Sequence, residues 1–240
     1  NRATIGGMIN TDASGQGSCT YGKTRDHVLA IDFVLLGGER LQSLPLAAEQ
    51  LDAACAQGGR AGQVYRTARR IADTQAGLIA AKFPPLNRCL TGYDLAHLRT
   101  PDQGFNLNSV LCGAEGSLGC IVEAKLNVLP IPKHTMLVNV RYAAFMDALR
   151  DARALLARKP LSIETVDSKV LMLAMQDFAW SSVAEYFPAD AGRPTLGINI
   201  IEFSGDDAAA LDLQVRDFIA HLQSDTGVQR LGHTLAVGEA

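Results

Sequence analysis

Apolar and polar positions divide the chain into strands and helices of moderate length. A nearly continuous apolar run over His27–Leu36 predicts a buried strand, and Gly37-Gly38 ends it with a turn. Apolar residues at helical spacing predict a helix that begins near Pro45 and a second one over Ala61–Ala81. Pro84-Pro85 ends the second helix, because proline cannot continue it.

The pattern changes after a predicted strand over Cys120–Leu129. Pro130-Ile131-Pro132 marks the boundary between two domains, 1–130 and 131–240, because two prolines cannot lie inside a central strand. Strands and helices then alternate, as strands His134–Tyr142, Leu161–Val166, Leu196–Phe203 and Val228–Val237 and helices Phe145–Arg158, Ser168–Asp177 and Asp206–Ser224. This succession predicts an antiparallel sheet with helices on one face. The expected helix caps are Asp167 or Ser168 for the second helix and Ser204 or Asp206 for the third.

Composition excludes several classes of protein. A chain of 240 residues with 48% hydrophobic and 20% charged residues is typical of a globular protein with one or two cores. The net charge of −3 gives no support to nucleic-acid binding. Charged residues interrupt every long apolar run, so no segment is expected to span a bilayer.

The cysteines and histidines predict neither disulfides nor a metal site within the chain. The five cysteines are odd in number and no two have CxxC spacing, which favours free thiols in a reducing compartment. The same spacing argues against an iron–sulfur site here. The histidines form no HxH or HxxxH pair. Asp26 precedes His27 at the start of the first strand. We expect Asp26, like Asp167, to stabilise the local structure and not to take part in catalysis.

Two glycine-rich segments are the main candidates for a binding site. The first covers Ala3–Gly15 and is closed by Tyr21-Gly22, and the second covers Gly113–Ile121. Small residues let backbone N–H groups approach an anion closely. The second segment does not follow GxGxxG, so a Rossmann loop is not indicated. Either segment alone is explained by turns, whereas both together favour one long phosphate-bearing ligand.

The same segments resemble a known family. The matching motifs are Asn1–Gly17, Tyr21–Thr24, Asp26–Leu29, Leu90–Leu95, Ile163–Leu171 and Ile201–Asp207. They make the chain similar to FAD-linked oxidases and dehydrogenases of the vanillyl-alcohol oxidase type, and most similar to the large D-2-hydroxyglutarate dehydrogenases that fuse flavin and iron–sulfur regions. The resemblance implies an α+β fold: the second half of the FAD-binding domain, followed by the N-terminal part of an antiparallel-sheet cap domain that places substrate over the flavin.

The resemblance also implies a set of flavin contacts. They are Thr4, Gly6, Gly7, Thr11, Asp12, Ala13, Ser14, Gly15, Tyr21, Gly22, Glu115, Gly116, Ser117, Leu118, Gly119, Cys120 and Ile121. The implied cofactor is FAD, and an iron–sulfur cluster and a divalent metal belong to other parts of the parent protein. The catalytic residues are expected beyond Ala240 and the first phosphate loop before Asn1, so this piece alone is expected to bind FAD weakly and to be inactive.

The implied activity is oxidation of a D-2-hydroxy acid, with D-2-hydroxyglutarate favoured, by hydride transfer to flavin. The expected partners are FAD, the small 2-hydroxy acid and the rest of the parent chain, in the cytoplasm and peripheral to the inner membrane through the electron acceptor. Two alternatives stay open: a D-lactate or glycolate dehydrogenase of the same superfamily, and a non-catalytic fragment of an FAD domain.

Overall fold

The computed structural model describes residues 3–86, 92–188 and 192–239. Asn1, Arg2, Cys89, Leu90 and Thr91, which enter the sequence predictions, lie outside the described residues. The chain divides into two compact units, Asn1–Leu129 and Pro130–Ala240. Each unit has its own hydrophobic core.

The first unit is a three-stranded antiparallel sheet with helices of 4 to 16 residues. Its strands are Val28–Leu35 (β1), Arg40–Ser43 (β2) and Gly119–Leu126 (β3), in the order β2-β1-β3. Its helices are Ile5–Asn10 (α1), Ser18–Tyr21 (α2), Ala48–Ala56 (α3), Gly59–Thr74 (α4), Ala76–Lys82 (α5) and Asn108–Leu111 (α6). Ile31, Phe33 and Leu35 alternate along β1 and point into the core, which fixes the register of the strand.

Three details of the first unit differ from the sequence prediction. The helix expected over Ala61–Ala81 is two helices, because Gln75 leaves the helical region with φ −112° and ψ 13°. The short strand β2 was not predicted, since its four residues are too few to show a period. Gly6 and Gly7 lie within α1, so the first glycine-rich segment begins as a helix.

The second unit is a four-stranded antiparallel sheet. Its strands are His134–Tyr142 (β4), Ser162–Asp167 (β5), Gly197–Gly205 (β6) and Arg230–Glu239 (β7), in the order β5-β6-β4-β7. Its helices are Phe145–Leu155 (α7), Ser168–Ala174 (α8) and Ala208–Ser224 (α9). Val138, Val140 and Phe203 share a core with α7 and α9, which confirms the predicted sheet with its main helices on one face.

The predicted N-terminal cap is confirmed for α8 and wrong for α9. Asp167 accepts hydrogen bonds from the N–H groups of Lys169 and Val170 at 2.9 and 2.8 Å, so the predicted cap of α8 is confirmed. The predicted caps of α9, Ser204 and Asp206, are wrong. The helix begins later, and Asp207 accepts from the first-turn N–H groups instead.

A buried ion pair joins three elements of the second unit. Asp151 on α7 is fully buried, and its carboxylate lies 2.6 Å from the Nη2 atom of Arg230 on β7. The hydroxyl of Tyr142 on β4 donates to the same carboxylate at 2.5 Å. Because a buried charge must be paired and hydrogen-bonded, this cluster fixes the position of α7 on the sheet.

Candidate functional site

The two glycine-rich segments contact each other through their backbones. The N–H of Gly113 donates to the carbonyl of Ile9 at 2.9 Å, and the N–H of Glu115 donates to the carbonyl of Asn10 at 2.9 Å. Both acceptors lie in the last turn of α1. The structure therefore brings together the two segments that the sequence analysis singled out, as parts of one surface of the first unit.

Some glycines of this surface are required by the protein itself. A side chain at Gly22 would meet the Asp26 carboxylate at 2.8 Å, and one at Gly119 would meet the carbonyl oxygen of Val34 at 2.2 Å. Both have positive φ, 85° at Gly22 and 148° at Gly119. These glycines permit close packing and a backbone conformation that other residues resist.

Other glycines of the surface face open space. A Cβ atom at Gly6, Gly15 or Gly116 would meet nothing within 4 Å. Gly116 has φ 76°, which explains its glycine, but Gly6 lies in a helix where alanine is more stable. Neither crowding nor backbone conformation explains why residue 6 is a glycine.

Two polar atoms beside these glycines lack partners. The Oδ1 atom of Asn10 and the Oγ atom of Ser14 are buried and make no hydrogen bond with any residue that the structure describes. Buried polar atoms are nearly always paired, so these two atoms are exceptions that the protein itself does not satisfy. The backbone around them is held firmly, since the Ala13 carbonyl accepts from the Thr24 hydroxyl at 2.8 Å.

Asp12 serves the local structure through its side chain. It has φ 44°, in the left-handed region, and is buried. One carboxylate oxygen lies 2.7 Å from the Nζ atom of Lys23, and the other accepts from the N–H of Arg25 at 2.8 Å. Lys23 is also buried, so this ion pair ties the first segment to the chain entering β1.

A second charged cluster lies next to this pair. The Arg25 guanidinium forms an ion pair with Asp94, and the Nδ1 atom of His97 lies 2.9 Å from the same carboxylate. Burial, together with the charges of Arg25 and Lys23, lowers the pKa of His97, so its imidazole is neutral at pH 7. The spacing of the histidines in the sequence gave no reason to single out His97. The available signal was Asp94, which belongs to a motif of the family resemblance.

The second segment borders an apolar cavity. The hydroxyls of Tyr93 and Ser117 lie 2.6 Å apart and connect Tyr93 to the second segment. Beside them is a cavity of about 480 Å³, lined by Leu118 and by residues of α4 such as Val64 and Ile71. Its size lies in the range of small-molecule pockets, about 300–1,000 Å³.

The remaining predicted residues support this surface or lie along β3. Thr4 caps α1 by accepting from the N–H of Gly7 at 3.1 Å, and the Thr11 hydroxyl donates to the Gly7 carbonyl at 3.0 Å. The carbonyl of Tyr21 is hydrogen-bonded to His27 at 2.7 Å. Cys120 and Ile121 pair with β1, and the thiol-bearing residue Cys120 is exposed.

Within residues 3–86, 92–188 and 192–239, no group of three or more His, Cys, Asp or Glu side chains is arranged to hold a metal ion. No helix among the described residues has the length and apolar character needed to cross a membrane.

Two family models match the chain in the order of its units. Residues 1–43 match the FAD binding domain, and residues 131–239 match the C-terminal domain of FAD linked oxidases. The chain therefore contains parts of the FAD-binding and C-terminal domains of FAD-linked oxidases. FAD is the cofactor that these domains indicate.

Individual relatives are similar to the chain along nearly its whole length. The chain is 74% identical over 238 residues to D-2-hydroxyglutarate dehydrogenase of Pseudomonas putida, covering 99% of this chain and 24% of the relative. It is 48% identical over 223 residues to the protein of the same name from Escherichia coli, covering 92% of this chain and 22% of the relative. The chain thus spans about a quarter of the length of these curated relatives.

A solved structure supports the fold. Alkyldihydroxyacetonephosphate synthase matches 97% of this chain with a TM-score of 0.55, and the match covers 34% of that protein's chain. The sequence identity is 19%, so this likeness concerns the fold alone.

Proposed function

We propose that the chain is part of an FAD-dependent dehydrogenase that oxidises a D-2-hydroxy acid, D-2-hydroxyglutarate, to the 2-oxo acid. The observation that carries this proposal is the high identity, along nearly the whole chain, to a relative named for that activity. In this proposal residues 1–130 form the second part of the FAD-binding domain, and residues 131–240 form the N-terminal part of the cap domain.

The first unit fits a flavin nucleotide at the joined glycine-rich segments. Its open positions at Gly6, Gly15 and Gly116 leave room that a side chain would fill. The unpaired oxygens of Asn10 and Ser14 supply polar partners. The other predicted contacts either shape this surface, as Thr4, Gly22 and Gly119 do, or extend it along β3. We therefore assign the flavin contacts to the seventeen predicted residues as a group.

A flavin bound here would supply the acceptor for the hydride from C2 of the hydroxy acid. The residues of this chain bind and orient the cofactor. Ser14 can donate a hydrogen bond through its hydroxyl, and the amide side chain of Asn10 can reorient to donate or accept one. The ion pair of Asp12 with Lys23 keeps the first segment rigid, which limits the conformational freedom lost on binding.

The rest of the reaction belongs to other parts of the parent protein. We assign the catalytic base, the substrate arginine, a divalent metal and an iron–sulfur cluster to the region outside this chain. The cytoplasm, with peripheral contact to the inner membrane through the electron acceptor, is the proposed location. The 240-residue piece alone is expected to bind FAD weakly, because half of the cofactor's surroundings are absent.

The test uses the full-length parent protein. The purified protein should show flavin absorption bands, and anaerobic D-2-hydroxyglutarate should bleach them. L-2-hydroxyglutarate is the stereochemical control, and D-lactate and glycolate test the two alternative substrates. The absence of flavin would refute the proposal. Faster bleaching by D-lactate or glycolate would replace the proposed substrate while keeping the class of enzyme.

A further inference from the structure

A second cavity lies wholly within the second unit, on the face of the sheet opposite α7 and α9. Its volume is about 540 Å³, and its walls include Leu171 and Met175 of α8 and Ile198 of β6. Asn199 and Ile201 of β6 face the core. Because side chains alternate along a strand, Ile198 lies on the opposite face of the sheet. The cavity is therefore a feature of the sheet's other face.

The polar residues lining this cavity are hydroxyl-bearing or basic. They are Ser168, Thr195, Arg141 and Arg193, and no Asp or Glu among the described residues lines the cavity. The remaining walls are mainly apolar. A small cavity with apolar walls and positive charge suits an organic anion better than a neutral or cationic ligand.

Arg141 is buried and only partly hydrogen-bonded. It is 9% exposed, and its Nη1 atom donates to the Pro188 carbonyl at 2.8 Å. Its Nε atom is buried and has no hydrogen-bond partner among the described residues. The structure gives Arg141 no carboxylate partner within residues 3–86, 92–188 and 192–239. A guanidinium cannot lose its charge, so a buried one requires a counterion.

The strand beside Arg141 leaves space for its guanidinium group. Arg141 on β4 pairs with Gly232 on β7, where the register shifts immediately afterwards. A Cβ atom at Gly232 would lie 3.1 Å from the Nη2 atom of Arg141, and Gly232 has φ 143°. The glycine therefore leaves space beside β7 for the guanidinium group. The Pro188 carbonyl fixes its other end, so the group is held in place before any ligand binds.

We propose that this cavity binds a carboxylate group of a small organic acid through Arg141. A carboxylate supplies the missing counterion, and its planar geometry matches the guanidinium fork. The acid has two possible sources: the distal carboxylate of the substrate itself, or a separate acid bound apart from the reacting atoms. Assignment to the substrate rests on the proposed function, whereas carboxylate binding does not.

The experiment measures binding and turnover separately in the full-length holoenzyme. Calorimetric titration with glutarate reports binding without any reaction. The Arg141→Met variant is expected to weaken glutarate binding by about 10- to 100-fold, the value of a hydrogen bond to a charged group. Arg141→Lys keeps the charge but loses the fork, and should weaken binding less. The matched control is Arg216→Met, which removes an exposed arginine of α9 that pairs with Asp212.

Kinetics then distinguish the two sources. If the substrate's distal carboxylate binds here, R141M raises the KM for D-2-hydroxyglutarate and leaves the KM for D-2-hydroxybutyrate, which lacks that group, unchanged. If a separate acid binds, glutarate affinity falls while both KM values stay the same. Circular dichroism checks that each variant is folded, and R141K provides the test if R141M is not.

Two results would overturn the proposal. One is a wild-type holoenzyme that binds no glutarate, and the other is a folded R141M or R141K variant that binds glutarate as tightly as wild type. Asp190 is close in sequence to Pro188 and lies outside the described residues, so Asp190→Asn is measured in parallel. Glutarate binding that appears only in D190N would identify an internal counterion and contradict the proposal. An enzyme inactive on every 2-hydroxy acid would refute the proposed function and leave the glutarate result intact.

Discussion

Replacing Gly6 by alanine should have opposite effects on stability and on cofactor binding. Gly6 lies in the first turn of α1, and a Cβ atom there would meet nothing within 4 Å. Alanine should therefore stabilise the apoprotein by about 0.5 kcal/mol, because glycine loses more backbone freedom on forming a helix. If the open space is where flavin approaches, the added methyl group should also crowd the cofactor.

The expected loss of FAD affinity in Gly6→Ala follows from the cost of crowding a packed contact. Inserting a methyl group into a close contact costs about 1–3 kcal/mol, which corresponds to a loss of FAD affinity of roughly 5- to 150-fold. Affinity is measured by titrating FAD into full-length apoprotein and following the quenching of flavin fluorescence. Stability is measured on the apoprotein, because bound FAD would itself raise the melting temperature.

Gly77→Ala is the matched control. Gly77 occupies the same position in α5 as Gly6 in α1, second in the helix, and also faces open space. G77A should stabilise the apoprotein to a similar degree and leave FAD affinity unchanged. The reasoning is refuted if G6A binds FAD as tightly as wild type, or if G77A weakens binding equally.

Three further predictions concern stability. Gly119→Ala should destabilise the protein by about 2–4 kcal/mol in urea unfolding, because its Cβ would overlap the Val34 carbonyl in a strained backbone conformation; a smaller change than 1 kcal/mol would contradict this. Asp12→Asn should cost about 3–5 kcal/mol by leaving Lys23 charged and buried, and the double variant with Lys23→Met should recover part of the loss. Burial raises the pKa of the Cys112 thiol from 9.0 to about 12. The contribution of this thiol to the free energy of unfolding is therefore complete below pH 9 and is lost as the pH rises towards 12. Between pH 9 and 12 the free energy of unfolding should fall less for Cys112→Ala than for the wild type. Equal dependence on pH in the two proteins would refute the assignment.

The main strands of the fold were predictable because burial imposes a pattern. The apolar run of β1 and the alternation in β4 follow directly from cores on one or both faces of a sheet. The break at Gln75 and the cap at Asp207 were missed, because several neighbouring residues are equally compatible with a helix end. Local sequence does not say which of them tertiary packing selects.

The candidate site was predictable only in part. Glycine-rich composition identified both segments, yet it did not separate Gly119, which the protein requires, from Gly6, which faces open space. The pair of Arg25 with Asp94 joins residues far apart in sequence, and no periodic pattern reports such contacts. Arg141 was also missed, since one arginine in an apolar strand carries no signal until its neighbours are known.

The backbone hydrogen bonds between the two glycine-rich segments have a consequence for biosynthesis. The bonds from Gly113 to Ile9 and from Glu115 to Asn10 close a long loop of chain. Residues of α1 leave the ribosome well before Glu115 is synthesised, and contacts so distant in sequence form late in folding. The surface formed by the two glycine-rich segments is therefore incomplete until Glu115 has been synthesised. If flavin binds this surface as proposed, cofactor loading follows translation of the whole first unit, and a chain stalled before Gly113 should emerge without flavin.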